Sequence, residues 1–301
     1  MTNNWRGAIF MMVSMASFTV NDAFMKLLSS EMELFQALFL RGIGTVAAFI
    51  LVARWTGALR FDLGRRDAIL VAVRSLAEVG STYFFLTALF HMPLANVNAI
   101  FQALPLAITL AGALFLGLPV GWKRLTAIMV GFLGVLLIVQ PGTDGFNTYS
   151  LYALASVGTV VVRDLATRQM SAAIPTATVA LSAAVAVTLF SGIASAFIPW
   201  VMPSAMGMLQ LFGALVFVLF GYVYSVRAMR TGDLGFVAPF RYSGLIWALG
   251  LGYLFFGQWP DLLILTGAAI IVATGVFTLL REARLAQKQR LAIRLAALSE
   301  P

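Results

Sequence analysis

Cysteine is absent from the 301 residues, histidine occurs once, at His91, and only 11% of the chain is charged. The first absence removes disulfides and thiolate metal sites, and a lone histidine cannot assemble a metal centre, so neither a metal nor a cofactor is expected. The chain has no G-x-x-x-x-G-K-[ST] phosphate loop, which excludes ATP-driven work within this polypeptide. It also lacks a concentrated Ser/His/Asp or multi-carboxylate constellation, so an enzyme is not expected. What fills the chain instead is apolar. A hydrophobic content of 61% and a mean hydropathy of +0.94 lie far outside the range of soluble domains and read as an integral membrane protein. A net charge of +8 would suggest nucleic acid in a soluble chain. Here the bases punctuate apolar runs, as cytoplasmic loops do, and no nucleic-acid partner is expected.

Apolar segments of bilayer length fall at roughly 5–28, 33–53, 67–90, 94–116, 122–139, 147–170, 176–198, 205–228, 234–254 and 261–281, which predicts an all-α fold of ten transmembrane helices. Pro93, Pro141-Gly142, Pro199 to Pro203 and Trp259-Pro260 punctuate them. The first run starts straight after Trp5 and Arg6 and is long enough to span, so it reads as a membrane helix rather than a cleaved signal. With the N-terminus in the cytoplasm, 15 of the 20 Lys and Arg fall outside the spans on that side and none on the other. The positive-inside rule then places both termini in the cytoplasm and the chain in the inner (cytoplasmic) membrane. The tail, 282–301, continues the bases of Arg281 and Arg284 with Lys288, Arg290 and Arg294, and is expected to lie as a helix on anionic lipid. Either a monomer or a homodimer is compatible with this composition.

The two halves resemble each other. Val20-Asn-Asp-Ala-Phe-Met-Lys26 aligns with Val162-Arg-Asp-Leu-Ala-Thr-Arg168 at an offset of 142, and Phe115 to Gly117 with Phe255 to Gly257 at an offset of 140. A unit of five helices is odd in number, so its tandem copy inserts upside down; the expected domains are 5–141 and 147–281, related as inverted repeats. The pattern Tyr83-Phe-Phe-Leu-Thr-Ala-Leu89, then Ala95 to Leu106 with Gln102 and Pro105, then Gly117, Gly131 and Gly134, resembles the EamA-type repeat of the drug/metabolite transporter superfamily. That resemblance implies a ten-helix carrier of small metabolites whose third, fourth, eighth and ninth helices line the site. The chain departs from a frequent family feature, with Leu118 and Gln258 standing where many members carry Glu.

Arg74-Ser-Leu-Ala-Glu78 places two ionisable groups on one face near the middle of a span, where charge is costly and marks a pathway. Five bases, Lys26, Arg41, Arg74, Arg163 and Arg241, sit within the spans or at their edges against three acids, Asp22, Glu78 and Asp164. A substrate carboxylate or phosphate would satisfy the surplus; the plain alternative is that Arg41 or Arg241 pairs with Glu78. Tyr83, Tyr222 and Tyr242 offer faces for a planar ring or a cation, and Gln102 a polar group to orient one. The candidate substrate-binding set is therefore Arg41, Arg74, Glu78, Tyr83, Gln102, Tyr222, Arg241 and Tyr242. Asp22 with Lys26, and Asp164 with Arg168, at i to i+4 spacing, are candidate gates, with helix-end capping as the alternative. Glu78 is the candidate for proton coupling, against a fixed ion pair with Arg74. The expected activity is secondary active transport by alternating access, with riboflavin, an aromatic amino acid or another planar or zwitterionic metabolite as substrate, and S-adenosylmethionine or a drug as the alternative. A channel or a membrane-embedded enzyme is the reading of another class; the asymmetric buried charges and inverted halves disfavour the channel, and the lack of a catalytic constellation the enzyme.

Overall fold

The computed structural model describes residues 3–56, 62–117, 121–143, 146–171, 173–231 and 234–299. Its elements are α1 (Asn3–Leu28), α2 (Leu34–Thr56), α3 (Arg65–His91), α4 (Leu94–Phe101), α5 (Leu104–Leu116), α6 (Trp122–Val139), α7 (Tyr149–Gln169), α8 (Thr176–Ser195), α9 (Ala205–Thr231), α10 (Leu234–Val237), a 3₁₀ turn (Ala238–Tyr242), α11 (Ser243–Phe256) and α12 (Leu262–Ser299). Among the described residues every element is helical, as hydrocarbon demands of a backbone that must satisfy its own hydrogen bonds. Among the described residues, eight helical segments are long and apolar enough to cross a membrane. α7 falls outside that set with Arg163, Asp164 and Arg168 in its second half, and so does the stretch from Leu234 to Phe256, where the 3₁₀ turn divides the helix.

Three boundaries differ from the sequence reading. The runs expected at 94–116 and 234–254 are both interrupted, at Gln102–Ala103 and at Ala238–Tyr242. Pro105 and Pro239 each lack an amide hydrogen and crowd the carbonyl four residues earlier, which ends the preceding helix. The segment expected to stop at 281 runs on to Ser299, because nothing between Arg281 and Ser299 is a proline or a glycine and the Ala, Leu, Arg and Gln there favour helix. The side chains of Lys288, Arg290 and Arg294, like Leu118, lie outside the described residues.

Packing falls into recurrent pairs. α1 lies along α9 as α3 lies along α7; α1 meets α11 as α5 meets α7; α3 meets α8 as α2 meets α9. α2 pairs with α8, and α6 with α12. Individual contacts repeat too: Ser14 Oγ donates to Gly221 O at 2.8 Å, and Ser156 Oγ donates to Ser81 O at 3.1 Å. Gly117 and Gly257 close α5 and α11 in the same left-handed conformation, at φ 63° and 61°, which only glycine adopts freely. Small residues permit these approaches, since apolar helices in lipid gain from close packing rather than from leaving water. A methyl group added at Gly213 would strike the Phe24 ring, whereas at Gly134 it would stand 2.7 Å from the carbonyl oxygen of Gly267, and one at Gly267 2.5 Å from that of Gly134. α6 and α12 therefore touch backbone to backbone.

Candidate functional site

α2, α3, α8 and α9 enclose a cavity of about 80 Å³. α2 contributes Leu38, Arg41, Gly42, Thr45 and Phe49, α3 contributes Arg74, Glu78 and Thr82, and α9 contributes Val218 and Tyr222. The wall from α8 is small and apolar apart from Thr188. Each wall is a row at steps of three or four residues, the pattern of a single helix face. The resemblance implied walls from the fourth and ninth helices; α2 and α8 stand in those places. The volume is below the roughly 300–1,000 Å³ that hold a drug-sized molecule, so a molecule of that size fits only if the helices part.

The buried charges fall along one strip, in two bonded groups. Arg74 Nη2 lies 3.8 Å from Glu78 Oε2, and the same oxygen receives Arg163 Nη1 from α7 at 3.4 Å. Arg163 Nε donates to Asp164 Oδ1 at 2.9 Å, and Arg241 reaches this end of the strip, within electrostatic range of Asp164 and Arg163. At the other end Arg41 Nη1 donates to Asn21 Oδ1 at 2.9 Å, and Asn21 Nδ2 donates to Asp22 Oδ1 at 3.0 Å. Tyr222 sits within range of Glu78, Arg163, Arg74 and Arg41, its ring edge-on to Phe18 and Phe49. Glu78 thus finds its cross-helix partner in Arg163, not in Arg41 or Arg241 as the plain sequence alternative had it. Arg74 has the least: its Nε and Nη1 are buried without a hydrogen-bond partner. A guanidinium left in this state at a cavity wall is a ready donor pair for an anionic group.

The cavity therefore unites Arg41, Arg74, Glu78 and Tyr222. Tyr83 belongs elsewhere, stacked on Phe35 with ring centroids 5.8 Å apart. Gln102 and Tyr242 occupy the two helix interruptions and do not line the cavity: Gln102 points its amide toward Gly244, and the Tyr242 hydroxyl, buried without a partner, abuts Gly275 on α12. Of the candidate gates, Asp22 is met by the amides of Asn21 and Asn98. Lys26 turns away to donate to Leu89 O at 2.8 Å and Met92 O at 2.5 Å, tying α1 to the end of α3. Asp164 is taken by Arg163, and Arg168 is exposed at the end of α7. Sequence reasoning passed over Asn21, Thr45, Phe49, Thr82 and Thr188. The signal was present in the four-residue steps from Arg41 to Thr45 to Phe49 and from Arg74 to Glu78 to Thr82.

Just beyond the cavity along α2, the fully buried Gln36 holds the α8–α9 connection by both backbone groups of Val201. Its Nε2 donates to Val201 O at 2.6 Å and its Oε1 accepts from Val201 N at 3.1 Å. Trp200 packs on Phe39 beside it, and Ser204 Oγ donates to Glu31 Oε2 at 2.8 Å. These contacts seal one end of the bundle.

The chain is similar to known membrane transporters. Residues 5–140 match the EamA-like transporter family. The pseudopaline exporter CntI of Pseudomonas aeruginosa is 28% identical over 280 residues, covering 88% of this chain and 93% of that protein. The S-adenosylmethionine uptake transporter of Rickettsia prowazekii is 22% identical, covering 92% and 93% respectively. The riboflavin transporter of Vibrio cholerae is 27% identical over 216 residues, covering 71% and 72%. A crystal structure sharing 18% identity superposes with a TM-score of 0.63, covering 93% of this chain and 98% of the other, which is a likeness of fold.

Proposed function

We propose, from the match of residues 5–140 to the EamA-like transporter family, that the chain is a drug/metabolite-type secondary active carrier of a small organic metabolite. The protein is a multi-pass membrane protein whose relatives are named as transporters. Ten spans arise when α4 with α5, and α10 with the 3₁₀ turn and α11, each count as one interrupted helix beside α7. The two halves, 5–141 and 147–281, are then inverted copies. The equivalent serine bonds at Ser14 and Ser156 and the exchanged helix pairings support this. Both termini face the cytoplasm, from the distribution of Lys and Arg, and the membrane is the inner one.

The observation that carries the reading is Arg74, whose two unpartnered nitrogens border a cavity shared by helices of both halves. The substrate is a planar or zwitterionic metabolite, such as riboflavin or an aromatic amino acid, whose anionic group meets Arg74 and Arg41 while Tyr222 covers its ring. The cationic S-adenosylmethionine is disfavoured as the alternative, because the wall offers two guanidinium groups and one carboxylate already engaged by Arg163. Glu78 serves as a fixed partner of Arg74 and Arg163 rather than as the coupling group. The sealed end supports alternating access: Gln36, Lys26 and the Glu31–Ser204 contact close the outer side in this state. On the opposite side Asp164, locked to Arg163, and the exposed Arg168 occupy the matching gate.

Counterflow into liposomes carrying the purified protein tests this. Accumulation of labelled riboflavin or an aromatic amino acid against its unlabelled form supports the substrate class. Counterflow of S-adenosylmethionine alone overturns it, and absence of counterflow for all three discards the shortlist.

A further inference from the structure

A second, shallower groove of about 290 Å³ lies between α6 and α12, remote from the charged cavity. Lys123, Thr126, Ala127 and Val130 form one side, Thr274 and Phe277 the other. Its floor is apolar in effect, because both hydroxyls are spent on backbone: Thr126 Oγ1 donates to Lys123 O at 3.0 Å and Thr274 Oγ1 to Ile270 O at 2.7 Å. Val130 and Phe277 are about half exposed, which on the flank of a membrane bundle means facing lipid tails. The distance from Lys123 to Val130 along α6 is about 10 Å, most of the ~15 Å hydrocarbon depth of one leaflet.

One end of the groove meets bases: Lys123 lines it, and Arg281 lies four residues past Phe277 on the same face of α12. Lys123 and Arg281 make no ion pair among the described residues, and Arg124 stands within electrostatic range of Arg281. Trp122, largely exposed, lies under the Lys123 ammonium at 5.4 Å, an aromatic anchor of the kind that settles at headgroup level. Lys123 and Arg281, on two adjacent helix ends, together attract an anion. A soluble anion would use the bases and leave the apolar trough empty. A second copy of the chain docked through this groove about a twofold axis would bring Lys123 and Arg281 against their own counterparts, which like charge opposes.

We infer that the α6–α12 groove is a discrete binding site for one anionic phospholipid, its phosphate held by Lys123 and Arg281 and an acyl chain lying between Val130 and Phe277. This is a one-to-one site on the flank of the bundle, separate from the diffuse attraction of the basic tail for the membrane surface, and it holds whichever metabolite is carried.

Native mass spectrometry of the detergent-purified chain with added phosphatidylglycerol or phosphatidylcholine tests it. The expected result is one retained phosphatidylglycerol, a drop of at least tenfold in that adduct for Lys123→Gln with Arg281→Gln, and no drop for Arg65→Gln with Arg66→Gln, which removes the same charge from the start of α3. Val130→Trp fills the trough without altering charge and should also displace the lipid, so the inference stands even where the double charge variant misfolds. Equal retention of phosphatidylcholine, equal loss in both charge variants, or a lipid-free dimer in place of the adduct would overturn it.

Discussion

Gln36 is the hinge of a quantitative expectation. Its amide makes two hydrogen bonds to the backbone N–H and C=O of Val201 from a fully buried position, and each such bond contributes about 0.5 to 1.5 kcal/mol net. Gln36→Leu keeps the volume and removes both, so the sealed end loses about 1 to 3 kcal/mol relative to the parted one, where water serves the same groups. At 1.4 kcal/mol per factor of ten, the minor outward-open population rises by about 5- to 150-fold. The absence of cysteine makes the assay direct. A single reporter, Ala184→Cys, places a thiol on the cavity wall with little added bulk, and a membrane-impermeant methanethiosulfonate applied from outside reads its exposure. Labelling in the Gln36→Leu background should accelerate by the factor above. An unchanged external rate in a protein that still elutes as a folded species, or acceleration only from the cytoplasmic side, would refute the reasoning.

Other outcomes follow from the same contacts. Arg74→Ala should abolish counterflow while thermal unfolding in detergent changes by less than about 1 kcal/mol, since the residue lacks partners for two nitrogens; normal transport would remove it from the pathway. Arg163→Met should destabilise by about 3 kcal/mol, the low end for breaking a buried ion pair because these side chains keep some solvent access, and adding Glu78→Gln should recover part of it. A single variant that melts like the parent would contradict this. Lys26→Met uncaps two carbonyls, each held by a charged donor worth about 1.5 to 3 kcal/mol, so amide exchange should quicken around Leu89 to Met92 and stay unchanged in α6.

The sequence reading placed most spans well because hydrocarbon leaves a chain few options, and a run of about twenty apolar residues has to be helix. It identified Arg41, Arg74, Glu78 and Tyr222 as site candidates because isolated polar groups in such runs are costly. Reach and register decide the rest. Asp22 and Lys26 have ideal helical spacing, yet a long lysine side chain found two orphan carbonyls at the end of α3 instead. Arg163 faces Glu78 only because α3 and α7 pack at one particular register, which no spacing along a single helix encodes. Pro105 and Pro239 announced the helix interruptions in plain letters, but hydropathy averaged over a window smooths them away.

The meeting of α6 and α12 has a genetic corollary. Where a glycine is required because a side chain stands opposite, as Phe24 stands opposite Gly213, a lesion at the glycine can be relieved by trimming the facing residue. At Gly134 and Gly267 the obstacle is the main-chain carbonyl, the one part of a neighbour that no codon change removes. A selection for second-site suppressors should therefore return local compensations for Gly213→Ala and none within that seam for Gly134→Ala, only reversion at the codon itself.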